Sequence, residues 1–116
     1  MTYHPLDYIE IAVSDVARAK AFYAAAFGWE FEDYGPDYAG IRAPGGDTDL
    51  GGLGPGTSGA GGVTPLVRSY DLEASLAALT AAGGTVAEEP YDYPGGRRFI
   101  AHDPDGNVVG VYQLAD

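Results

Sequence analysis

The chain has 116 residues, no cysteine and a formal net charge of −11, with 6 Lys+Arg against 17 Asp+Glu. That length fits one compact domain burying roughly 65% of its unfolded surface, and the missing cysteine excludes disulfides, thiolate catalysis and Cys-ligated zinc. So few cations form no basic stripe for phosphates, which argues against nucleic acid and anionic membrane as partners.

The excess acid reads as a solubility device rather than a pointer to a substrate. With no basic-then-apolar leader and no apolar run of about 18 residues, the expected setting is the cytoplasm.

Residues 7–13 alternate, with Ile9, Ile11 and Val13 on one face and Tyr8, Glu10 and Ala12 on the other, which predicts a strand with two unlike faces. Ser14 or Asp15 then caps a helix whose core stripe is Val16, Ala19, Phe22, Tyr23, Ala26 and Phe27, with Gly28 as its stop. Trp29, Phe31 and Tyr34 begin a second strand, Tyr38 to Ala43 form a third, and a weak strand follows near residues 48–53. The glycine-rich run 51–62 has a flexible-linker composition. It lacks the Gly-Lys-Ser/Thr ending of a phosphate loop.

The pattern then starts again. Val63 to Ser69 reads as a strand, and Asp71 caps a helix carrying Leu72, Ser75, Leu76, Leu79 and Ala82, with Gly83-Gly84 as its stop. Thr85–Ala87, about Arg97–His102 and Val108–Leu114 read as strands, with Pro90, Pro94 and Gly95-Gly96 as breaks. Asp103-Pro104-Asp105-Gly106-Asn107 is a tight turn, in which proline presets one φ and the Asp and Asn side chains reach nearby amides. A shift of 56 residues carries Asp15 onto Asp71 and Gly28 onto Gly84. Repetition on this scale predicts two copies of one βαβββ unit. The expected fold is α+β, with modules at about 6–53 and 63–114 in a cup-shaped sheet. The domain reading is a single domain, 1–116, of modules 1–53 and 63–116 joined by a linker over 54–62.

The two modules, Ser14-Asp15 followed by Ala21-Phe22-Tyr23, then Phe27-Gly28-Trp29 and the Asp103–Asn107 turn, resemble the vicinal oxygen chelate superfamily. That group includes glyoxalase I, extradiol dioxygenases, methylmalonyl-CoA epimerase and the bleomycin-resistance proteins. The resemblance implies a homodimer and, in the metal enzymes, a ligand at the first and last strand of each module. Carried over, those positions fall on Tyr8, around Gly51, near Thr64 and on Gly110. None is a usual ligand, since glycine has no side chain and neutral hydroxyls substitute poorly for imidazole or carboxylate. His4 and His102, the two histidines, match none of these positions.

The residues expected to line the cup are therefore Tyr8, Glu10, Tyr38, Arg42, Arg68, Gly110 and Tyr112, a set of aromatic walls with a few polar groups. Glu10 serves either as a polar anchor or general base, or as a partner of Arg68 or a tyrosine hydroxyl. Arg68 is the candidate clamp for a ligand carboxylate or phosphate. Gly110 leaves a gap that would admit a ligand. Trp29, Phe22, Tyr23 and Phe27 are read as packing, His102 as a turn residue, and no Ser/His/Asp or Cys/His group assembles.

These readings favour metal-free binding or sequestration of a small molecule, of the bleomycin-resistance type, with no cofactor and no catalytic residue assigned. The alternatives are a glyoxalase-type lyase, isomerase or dioxygenase with displaced ligands holding a divalent metal, and a structural or regulatory dimer without ligand.

Overall fold

The computed structural model describes residues 2–59 and 61–116. Its elements run β1 (Leu6–Val13), α1 (Val16–Phe27), β2 (Phe31–Asp33), β3 (Ala39–Arg42), β4 (Asp49–Pro55), β5 (Val63–Arg68), α2 (Leu72–Ala81), β6 (Thr85–Tyr93), β7 (Gly96–His102) and β8 (Val108–Leu114). This is βαβββ twice, an α+β fold. Two compact units divide the chain, Tyr8–Thr64 and Pro65–Asp116, the second also taking residues up to Asp7.

In the first unit the strand order is β2-β3-β4-β1. β1 pairs with β4 in parallel, and the other pairs are antiparallel. Register aligns Ile11 with Leu53 and Leu53 with Ala39. Ala39, Ile41 and Leu53 are buried on that face, and α1 packs on β4. Asp15 caps α1 by accepting the Arg18 N–H at 3.0 Å. Gly28 ends it in the left-handed region, φ 73°.

The α1 stripe differs from expectation. Phe22 and Phe27 are 58% and 63% exposed, and no residue of α1 is fully buried. These aromatics instead form a surface stack with Tyr23 and Trp29, whose rings lie 4.7 Å apart and 7° from parallel. Helical spacing identifies a shared face and says nothing about how much of it a short, glycine-rich sheet can cover.

The second unit has the order β5-β8-β7-β6, with β5–β8 parallel and the rest antiparallel. Its core is Leu72, Phe99, Ala101 and Val111, with Val67, Leu76, Leu79 and Val109 around it. Asp71 caps α2 through the Ala74 N–H at 3.1 Å, and Gln113 Oε1 accepts the Leu72 N–H at 2.8 Å. The helix ends at Ala81, and Gly83, φ 108°, turns the chain out of it at the expected Gly83-Gly84 stop.

Two further expectations change. Residues 54 and 55 of the expected linker belong to β4, which extends two residues beyond the strand expected near 48–53, since backbone pairing on both sides holds even a glycine-rich strand. Ala60, inside the expected linker, lies outside the described residues. The chain also continues as strand through Pro90 to Tyr93. Proline is tolerated there because β6 is an edge strand and its pairing with β7 shifts register between Glu88 and Tyr91. The turn after β7 forms as expected. Asp103 Oδ1 accepts the N–H groups of Asp105 and Asn107 at 2.9 and 2.8 Å, and Oδ2 accepts from the Asn107 amide at 2.9 Å. Those bonds, Asn107's first, hold the Asp103 carboxyl below its ordinary pKa.

Candidate functional site

In the first unit, Tyr8 and Glu10 alternate with Ile9 and Ile11 along β1, so they occupy the face opposite the buried one. Glu10 is aligned with Gly52, and Gly52 with Gly40. Tyr38 lies over this glycine bed. A Cβ on Gly52 would stand 1.9 Å from Tyr38 Oη, and one on Gly54 3.0 Å from its ring. Tyr8 and Tyr38 join their hydroxyls at 2.6 Å. Four expected site residues, Tyr8, Glu10, Tyr38 and Arg42, are in this unit, and Tyr8 and Tyr38 are in direct contact.

Arg42 is committed elsewhere. Its Nη1 pairs with Asp49 at 3.2 Å and lies 4.0 Å from Glu32. Tyr34 Oη donates to the same Asp49 at 2.6 Å, and that bond, followed by burial and the negative charge of Asp49, raises the Tyr34 pKa. Arg42 therefore serves its own strand pair before it serves a ligand.

Arg68, Gly110 and Tyr112 lie in the second unit. Arg68 is aligned with Tyr112, Tyr112 with Arg98, and Arg98 with Tyr91. Same-face neighbours on adjacent strands interact, so this is a row of alternating arginine and tyrosine. Arg98 Nε donates to Tyr91 Oη, and its guanidinium sits 5.5 and 5.4 Å from the Tyr91 and Tyr93 ring centres. Tyr112 Oη bonds both Asp7 carboxylate oxygens at 2.9 Å. Burial first, and then Asp7, push its pKa up.

The expected gap at Gly110 is closed. A Cβ there would meet Leu66 Cδ2 at 2.7 Å and Ile100 Cδ1 at 3.4 Å, and Leu66 is only 2% exposed. The side chain that glycine lacks has been replaced by a neighbour's, as close packing requires.

Arg68 is the exception to this saturation. Its guanidinium lies 5.3 Å from the Tyr70 ring centre, yet within its unit it makes no ion pair, and its buried Nε has no hydrogen-bond acceptor among the described residues. A buried donor left unmet costs about 1–3 kcal/mol. Arg68 also borders a cavity of about 240 Å³ with Ser69, Tyr70 and Gln113. A groove of about 520 Å³ adjoins it, sharing Tyr70 and Gln113 and lined further by Asp71, Glu73, Asp92 and Arg97.

The donor set does not fit the metal implied by the resemblance. Tyr8, Thr64 and Gly110 offer no imidazole or carboxylate. Gly51 is aligned with Ile9 and Ile41 on the buried face, so the open-face position is Gly52, again without a side chain. Among the described residues, no group of three or more His, Cys, Asp or Glu is placed to hold a metal ion. One histidine does meet a serine, contrary to expectation. His4 Nε2 lies 2.7 Å from Ser75 Oγ, which bonds Ser69 Oγ at 2.6 Å. Ser69 and Ser75 are buried, so this chain satisfies interior hydroxyls and ties the N-terminal segment to α2.

The profile of the Glyoxalase/Bleomycin resistance protein/Dioxygenase superfamily matches residues 5–111. The chain belongs to this superfamily. It is 32% identical over 117 residues to the anthracycline biosynthesis protein DauV of Streptomyces sp. (strain C5), covering 94% of this chain and 41% of that protein. It is 28% identical over 116 residues to the putative glyoxylase CFP32 of Mycobacterium tuberculosis (strain CDC 1551 / Oshkosh), covering 92% and 44%. The chain thus spans less than half the length of these curated relatives. Among solved structures, a Mn(II)-bound glyoxalase from Novosphingobium aromaticivorans superposes with a TM-score of 0.68 at 26% identity, over 96% of this chain and 40% of that one. A superfamily member from Vibrio splendidus 12B01 gives 0.69 at 18%, over 97% and 100%, and supports the fold alone.

Sequence reasoning missed Tyr91, Tyr93 and Arg98. Tyr91-Asp92-Tyr93 does alternate, but that period-2 signal lies between Pro90 and Pro94, which read as breaks.

Proposed function

We propose that the chain binds a small organic molecule without a metal and does not transform it. The observation that carries this reading is the donor set. The four positions at which superfamily metal enzymes hold their ion carry tyrosine, threonine and two glycines here, and the glycine positions are packed by Tyr38 and Leu66. A metal held by so few donors would bind weakly. Superfamily membership and the relative assigned to anthracycline biosynthesis support a planar, aromatic ligand class. The tyrosines of each unit suit such a ligand, because rings stack favourably on rings. The same reading takes the working form as a cytoplasmic homodimer. No helix among the described residues is long and apolar enough to cross a membrane.

The resemblance to the Mn(II)-bound glyoxalase favours a second reading, a metal-dependent lyase whose ligands are displaced. Metal analysis of purified protein, with melting before and after chelator, separates the two. The expected result is substoichiometric Mn, Fe, Ni and Zn and an unchanged melting temperature. Stoichiometric metal whose removal lowers the melting temperature would overturn the metal-free reading.

A further inference from the structure

Each charged group of the second unit's arginine–tyrosine row can be asked what satisfies it. Arg98 is engaged with Tyr91 and flanked by the Tyr91 and Tyr93 rings. Arg97, on the α2 side, holds Glu73 at 3.0 Å and Asp92 at 3.3 Å. Arg68 has the Tyr70 ring against it, no counter-ion in its unit and an Nε without an acceptor. It also borders a cavity. A guanidinium in that condition presents a planar fork matched to two oxygens of one carboxylate.

We infer that Arg68 is the recognition point for a carboxylate carried on a planar aromatic ligand. The inference rests on the small-molecule reading above. The carboxylate sits in the cavity bounded by Arg68, Ser69, Tyr70 and Gln113, and the ring extends into the adjoining groove across Tyr70. Electrostatics orient the ligand. Asp71, Glu73 and Asp92 line the groove, where Arg97 is already held by Glu73 and Asp92, and Asp116 lines both spaces, so among the lining residues Arg68 is the cation left for an anionic end. The uncharged ring takes the groove. Tyr70, 57% exposed, is the stacking platform for it.

The test is calorimetric titration of the full chain with 2-naphthoate and with its neutral match, 2-naphthamide. The wild-type protein is expected to bind the carboxylate about tenfold or more tightly than the amide, the scale of one charge-assisted pair. Arg68→Met should abolish that preference while amide binding persists, and Arg18→Met, a surface change on α1 of the first unit, should retain it. Should Arg68→Met not fold, Arg68→Lys keeps the charge without the fork and should lose most of the preference. Equal affinities in the wild type, or a preference that survives at Arg68, would sink this inference and leave the small-molecule reading standing. Failure of both probes to bind at millimolar concentration would overturn both.

Discussion

The two βαβββ units share their punctuation and differ in what they do with it. Each has an Asp-capped helix and a parallel strand pair at the same place. The second unit buries its helix on Phe99, Ala101 and Val111. The first leaves its helix aromatics at the surface and fills its open face with tyrosines laid on glycines. A repeated unit therefore conserves the backbone devices that start and stop elements, while side-chain volume is free to migrate from one face to the other. The first unit keeps its own ions paired, with Arg42 on Asp49 and Lys20 on Asp33. The second leaves Arg68 open.

The strongest contrast is between two phenylalanines. Phe99 is wholly buried and Phe22 is 58% exposed. Phe99→Ala should cost about 3–5 kcal/mol and Phe22→Ala about 1 kcal/mol or less, read from urea unfolding. Comparable losses would mean that the surface stack around Trp29 is a second core and that the contrast between units is false.

A smaller effect separates two glycines. A Cβ on Gly51 would stand 2.1 Å from the Ile9 carbonyl oxygen, which only a shift of β1 against β4 can relieve. On Gly110 it meets the movable end of Leu66 at 2.7 Å. Gly51→Ala is expected to cost about 3 kcal/mol and Gly110→Ala about 1 kcal/mol. A reversed order would show that the second unit is the more tightly packed at its parallel pair.

The mildest effect is the pH dependence that Tyr112 brings to the second unit. Tyr112 keeps its proton above the ordinary phenol value because of burial and Asp7. The unfolded phenol ionises near pH 10, so this contribution is complete below that pH and is lost as pH rises from there through the folded pKa. Urea midpoints measured from pH 8 to 11 should fall less steeply in Tyr112→Phe than in the wild type. Equal slopes would assign the alkaline loss to other groups.

Much of the fold was legible because turn and cap chemistry is local. Asp15, Asp71 and Asp103 each act within four residues of themselves, so their roles follow from short spacings. Alternation placed Tyr8 and Glu10 on one face for the same reason. The failures are all non-local. Whether Gly110 is a hole depends on Leu66, which lies 44 residues away on another strand, and whether Phe27 is covered depends on how much sheet lies beneath it. Arg68 could be named from its position in β5. Its missing acceptor could not, because an unmet donor is defined by everything that surrounds it.

The glycines of β4 have one more consequence. At Gly52 and Gly54 the strand has no side chain to set the depth of its open face, and there the task passes to the Tyr38 ring lying on them. Tyr38 is thus a plug as well as a wall. Shortening it would expose a trough floored by peptide groups and shaped to a flat ring, while any enlargement at Gly52 would have to evict it. A larger residue at 52 therefore requires a smaller one at 38, and the two positions can be exchanged only as a pair.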